Sequence, residues 1–284
     1  MLYSLVIYFS PLKDLKPRHD LGASLHAFFY NLLRSGDGQY ATELHNKDVF
    51  KPFTVSPVEM MKRDYISGPG LTGMPAAFPR GSLCRIRFTL LQARPYFHLA
   101  QYFLNHGRPL SGPHLNGIPL EILEVRVVQT PEEPGAGYTE YRHLWEQAAA
   151  ARRITMEFSS PTTFRQGDVN LPLPVPRLIF SSLAAKWRYF APDYPLHPGL
   201  DEYVEKYVAL AEFNIKSALL DYGRNRKYVG FKGRCSFIVS GGDEHQELAK
   251  QVNMLADYAF YAGVGQKTTM GMGQARRLKC TGGD

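Results

Sequence analysis

Three residue types able to move protons and stabilise charge gather near the N-terminus. His45 and Lys51 flank a segment within LHNKDVFKPFTVSP, residues 44–57, where a loop is expected to enter a strand, and Tyr30 lies on the helix upstream. Imidazole titrates nearest neutrality and suits proton transfer. An ammonium supplies positive charge, and a phenol needs activation or positioning before it acts as a base. Such a set could cut RNA without metal: a base takes the proton of a 2′-hydroxyl as it attacks the adjacent phosphate, an acid protonates the departing 5′-oxygen, and a cation stabilises the developing charge. Spacing alone does not separate the set from ordinary surface or packing residues.

The elements that must hold these side chains follow from periodicity. Residues 2–9 read as a strand, and Asp20 is placed to cap a helix with Leu21, Leu25, Phe28 and Leu32 on one stripe. His26 and Tyr30 fall away from that stripe and are expected to face a cleft. Strands over 51–58 and 83–91, a helix opened by Pro95 and ending near Gly107, and a strand over 118–128 complete a β-α-β-β-α-β order. Thr130–Gly137, TPEEPGAG, reads as linker. A similar series follows: a strand at 152–158, helices at 177–190 and roughly 201–212, extended runs at 213–220 and 226–239, a helix capped by Asp243, and a closing strand. The fold class is α+β, with two tandem ferredoxin-like domains of antiparallel sheet. Their boundaries are 1–130 and 152–284, with 131–151 between them. Three scattered cysteines suggest neither a disulfide framework nor a zinc site, and the N-terminal apolar run is too short for a signal or a span. A cytoplasmic protein without membrane, metal or cofactor is expected.

Near the C-terminus, AGVGQKTTMGMGQARR sets Gly263, Gly265, Gly271 and Gly273 in a G-x-G-x5-G-x-G pattern. It is not a P-loop, because Lys267 follows Gln266 rather than glycine. It is not a dinucleotide fingerprint, because it follows a helix instead of opening one. With Gly263 in the left-handed conformation after that helix, the negative end of the helix dipole lies beside the loop. Affinity for phosphate must then come from loop amides and from Lys267, Arg276 and Arg277. Close backbone packing accounts for the glycines equally well.

The net charge, 33 Lys and Arg against 26 Asp and Glu, is +7 and favours a polyanionic partner, although a basic enzyme needs none. The stretch RNRKYVGFKGRCSFIVS, residues 224–240, holds five cations and no acid. Alternation puts Val229, Phe231, Cys235, Phe237 and Val239 on one face, with Arg226, Tyr228, Lys232, Arg234 and Ser236 on the other. That second face is either a basic surface with a tyrosine able to stack on a base, or a solvated sheet exterior. The absence of H-E-x-x-H and G-x-S-x-G gives no support to a zinc hydrolase or an acyl-transfer elbow.

Taken together, LHAFFYNLL (25–33), LHNKDVFKPFTVSP (44–57), SPTTFR (160–165), YVGFKGRCSF (228–237) and the glycine-rich loop give the chain its resemblance. The sequence resembles the CRISPR-associated endoribonucleases of the RAMP superfamily, which cut precursor CRISPR RNA within its repeats. The resemblance implies tandem ferredoxin-like domains, CRISPR repeat RNA as partner, and metal-independent cleavage leaving 5′-hydroxyl and 2′,3′-cyclic phosphate ends. By motif position it lends catalytic roles to Tyr30, His45 and Lys51, with His26 as substitute where the family varies. A non-catalytic RAMP subunit that only holds CRISPR RNA is the alternative. A homodimer and association with other Cas proteins stay open.

Overall fold

The computed structural model describes residues 1–16, 21–46, 50–61, 77–105, 110–221 and 227–278. Asp20 and Arg226, expected respectively as a helix cap and an RNA contact, lie outside the described residues. The chain divides into two units. The first comprises Met1–Tyr138, Leu219–Lys227 and Thr269–Gly271, and the second Thr139–Ala218, Tyr228–Thr268 and Met272–Asp284.

In the N-terminal unit, β-branched and aromatic residues make β1 (Leu2–Pro11) the centre of a sheet. There follow α1 (Leu21–Gly36), α2 (Gly38–His45), β2 (Phe53–Val55), β3 (Glu59–Met60), β4 (Cys84–Leu90), α3 (Ala93–Asn105), β5 (Leu110–Leu115), β6 (Ile118–Arg126) and β7 (Gly137–Thr139). The sheet order is β2-β4-β1-β6-β5, with β3 on β4 and β7 on β1. Antiparallel register sets Ile7 opposite Ile86 and Val125. One face buries Leu5, Ile7 and Phe9 with Phe28, Phe29, Leu32 and Leu33 of α1 and Leu99 of α3.

The other face is closed by part of the segment read as linker. Ala136 packs on Val6 and Tyr8, and the wholly buried Glu133 accepts the Tyr8 hydroxyl and pairs with Arg85 at 3.1 Å. Every residue of β1 is therefore buried, although a one-sided strand would alternate.

The second unit runs α4 (Tyr141–Glu146), β8 (Arg153–Thr162), β9 (Phe164–Gln166), β10 (Val169–Leu171), α5 (Pro176–Phe190), α6 (Leu200–Tyr207), β11 (Val208–Asp221), β12 (Lys227–Val239), α7 (Gln246–Ala262) and β13 (Ala275–Arg277). Its sheet order β11-β12-β8-β13 is that of a ferredoxin-like domain, with β9 and β10 a separate hairpin. Both units thus show the expected tandem architecture. The helix expected to reach residue 212 stops at Tyr207, because residues 208–212 join the ladder to β12 despite the helix-favouring Ala, Leu and Glu among them. Asp243 opens a short 3₁₀ turn instead of capping α7, whose N-cap His245 makes no side-chain cap bond. Among the described residues no helix is long and apolar enough to cross a membrane.

Candidate active site

The Tyr-His-Lys set is organised by α2, a short helix that the sequence reading leaves unassigned. Asp37 starts it, accepting the Tyr40 amide at 2.9 Å from an extended N-cap conformation. Tyr40, Ala41 and Leu44 bury its inner face, and His45 is its last residue, with an exposed side chain.

The end of α2 is held by the other two members of the set. Lys51 Nζ donates to the carbonyls of Leu44 at 3.0 Å and of His45 at 2.8 Å, and the Tyr30 hydroxyl donates to the Leu44 carbonyl at 3.3 Å. These carbonyls belong to the last turn, where a helix leaves acceptors unpaired and its dipole favours a cation.

Tyr30 does not face an open cleft as its helix position suggests; it is buried at 4% exposure, because α2 and Phe53 pack over it. Its ring stands 5.2 Å from that of His45 and 4.9 Å from that of His26, and His26 Nδ1 lies 3.4 Å from the Thr269 carbonyl. The three expected residues therefore come together, with His26 beside them. Burial, and secondarily Tyr40, push the Tyr30 phenol up to about 12. It is a neutral hydrogen-bond donor at pH 7, ill suited to act as a base.

In the second unit, the basic residues separate by strand geometry. On β12 and β13, Arg234 and Arg276 stand opposite Glu157 of β8 and pair with it at 3.2 and 2.7 Å. Burial works to raise Glu157, but Arg276 and then Arg234 hold its carboxyl below the usual range. Arg277, one residue on, points to the other face and bonds Asp257 and Asn253 of α7. The adjacent arginines thus have different surroundings, as a period of two requires. Lys267 is exposed and places its amine 5.7 Å from the centroid of the Tyr228 ring. Lys232 is half-buried. Val229, expected in the core, is 43% exposed; the β12 register slips between Phe231 and Gly233, so alternation does not carry across the bulge.

All four loop glycines have positive φ. Their surroundings are crowded. A Cβ on Gly265 would stand 2.4 Å from the Thr163 carbonyl oxygen, and one on Gly273 2.2 Å from that of Val264. The loop is laced by backbone bonds from Val264 to Gly273, Gln266 to Thr163 and Gly273 to Pro161. Close packing is thus a structural fact for this loop. Sequence reading misses α2 and Glu157; the run Asp37 to Leu44 holds the signal for the first.

Residues 1–146 match the family model described as CRISPR Cas6 N-terminal domain, and residues 156–275 the model described as CRISPR-associated endoribonuclease Cas6. A protein of that latter name from Mycobacterium tuberculosis is 29% identical over 161 residues, 57% of this chain and 48% of the relative. Another from Streptococcus thermophilus is 28% identical over 117 residues, 41% of this chain and 46% of the relative. The matches thus span about half the length of these curated relatives. Among solved structures, a Cas6 product complex is 26% identical, covers 98% of this chain and 100% of that one, and superposes with a TM-score of 0.80. Thermus thermophilus Cas6 is also 26% identical, with 98% of each chain covered and a TM-score of 0.69.

Proposed function

The chain belongs to the Cas6 family of CRISPR-associated endoribonucleases, and from that premise we propose that it cleaves precursor CRISPR RNA within the repeats, in the cytoplasm, without metal. The observation that carries this reading is His45, whose exposed imidazole stands at the end of a helix fixed by Lys51 and Tyr30. A module that only holds RNA needs no such arrangement.

In the proposed reaction the repeat's 2′-oxygen attacks the adjacent phosphorus. The O2′–P bond forms as the P–O5′ bond breaks, the 2′-hydroxyl proton leaves to a base, and the 5′-oxygen gains a proton. The products are a 2′,3′-cyclic phosphate and a 5′-hydroxyl. His45 moves the proton in this scheme, and Lys51 places positive charge near the phosphate. Tyr30, neutral and buried, holds the end of α2 rather than acting as base.

Labelled repeat RNA incubated with the protein in EDTA tests the reading. Cutting at one position, abolished by a 2′-deoxy nucleotide 5′ to the scissile phosphate, is the expected result. Tight binding without any cutting would return the chain to the non-catalytic alternative, and cutting that survives the deoxy substitution would remove the 2′-hydroxyl as nucleophile.

The basic side chains Lys232, Arg234, Lys267 and Arg276 are proposed as phosphate contacts. Arg277, committed to α7, is the weakest of the candidates named from sequence. Replacing Lys232 and Arg234 together with alanine should lower the slope of log Kd against log salt by about two, one for each phosphate no longer neutralised. A slope equal to wild type would make that face a solvated sheet exterior.

A further inference from the structure

Lys186 and Ser182 stand one turn apart on α5, and both meet the start of the glycine-rich loop. Lys186 lies on the apolar face of the helix with Ile179, Phe180, Leu183 and Trp187, and is only 7% exposed. Its Nζ donates to the carbonyls of Ala262 at 2.7 Å and Gly263 at 3.0 Å. The Gly265 amide donates to Ser182 Oγ at 2.9 Å. Three backbone groups within four residues are therefore fixed by one face of α5.

A lysine is a costly choice at such a position. Burial opposes its charge and lowers its pKa to about 7. Methionine, of similar length, would fill the space without that cost. What the amine adds is a pair of bonds to the carbonyls of the last residue of α7 and of Gly263, which caps it, where intrahelical donors run out and the helix dipole favours positive charge. Two N–H donors remain even on the neutral amine, so the bonds do not depend on the third proton.

These contacts set the path of the backbone that follows. Gly263 and Gly265 turn it through φ of 62° and 75°, and Lys267 itself adopts a φ of 55°. That side chain reaches over Tyr228.

We propose that Lys186, assisted by Ser182, is a positioning residue for RNA binding: it clamps residues 262–265 from inside the C-terminal unit and so sets where Lys267 is presented. The identity of the ligand rests on the proposed function; the clamp itself does not.

Lys186→Met tests it by two readouts. Hydrogen exchange should quicken by about tenfold or more across 263–273 while the body of α7 around Val252–Leu255 keeps its protection. Repeat RNA should bind about tenfold more weakly, with a salt slope lower by about one. The single-turnover rate at saturating RNA should stay within about twofold, which separates a binding defect from a missing catalytic group. Ser182→Ala should shift exchange and affinity the same way by less, and it provides the same readouts if Lys186→Met does not fold. Unchanged exchange over 263–273 overturns the clamp. Faster exchange with wild-type affinity and salt slope overturns the positioning role. If the wild-type chain neither binds nor cuts repeat RNA, the proposed function fails, while exchange still decides the clamp.

Discussion

Replacing His45 with alanine is expected to leave repeat RNA bound and to slow its cleavage by about 10²-fold or more, the scale of a general acid or base. The geometry explains why the two effects separate. Lys51 grips the carbonyl of His45 rather than its ring, so truncating the exposed side chain leaves the end of α2 capped. The proposed proton-transfer group disappears while its platform stays. Tyr30 cannot substitute as a base, since its phenol, pushed up to about 12 by burial and then by Tyr40, stays protonated at neutral pH. Single-turnover cleavage at saturating RNA is the measurement, with binding followed separately. A mutant that cuts at the wild-type rate would sink the assignment and move attention to His26, which packs against the same tyrosine.

How much of this is legible in the sequence depends on whether the information is local. The strands β1, β4, β8 and β12 announce themselves because β-branched and aromatic residues run through them, and Leu25, Phe28 and Leu32 recur at helical spacing, whereas the start of β11 reads as helix. The short α2 does not. Gly36, Asp37 and Gly38 are turn-favouring residue types, and only Tyr40, Ala41 and Leu44 mark the buried side. Sequence reading therefore finds His45 and misses the helix that aims it. Lys51 and Tyr30 stand out by their chemistry, yet their bonds to the carbonyls of α2 belong to packing between separate elements.

Charge shows the same division. The acid-free run 224–240 looks like a bare basic face, but the acid that answers Arg234 sits on β8, 77 residues away along the chain. Lys186 is hidden in a different sense: on the apolar stripe of α5 it looks like an intrusion, and only the end of α7 explains it.

The glycine-rich loop supplies the second large effect, because its four glycines are not equivalent. Gly273→Ala should destabilise the protein by about 2–5 kcal/mol, combining about 1–2 kcal/mol for a left-handed φ with about 1–3 kcal/mol for overpacking. Its φ is 71°, and the new methyl would stand 2.2 Å from the Val264 carbonyl oxygen, which has little room to retreat because Val264 and Gly273 are joined by a 2.8 Å backbone bond. Gly271→Ala meets a different situation. The φ of 90° is just as foreign to an L residue, but the nearest atom is the Leu25 Cδ1 methyl at 3.2 Å, the far end of a side chain that can rotate aside. Only the conformational cost, about 1–2 kcal/mol, is expected there. Urea unfolding of the two variants, compared at equal m-value, separates backbone strain from crowding. Equal losses would mean that the Val264 carbonyl yields freely, and the loop would then be a flexible tether with no fixed path. A clearly larger loss for Gly273→Ala would instead make the crowded base of the loop the rigid support from which Lys267 reaches out.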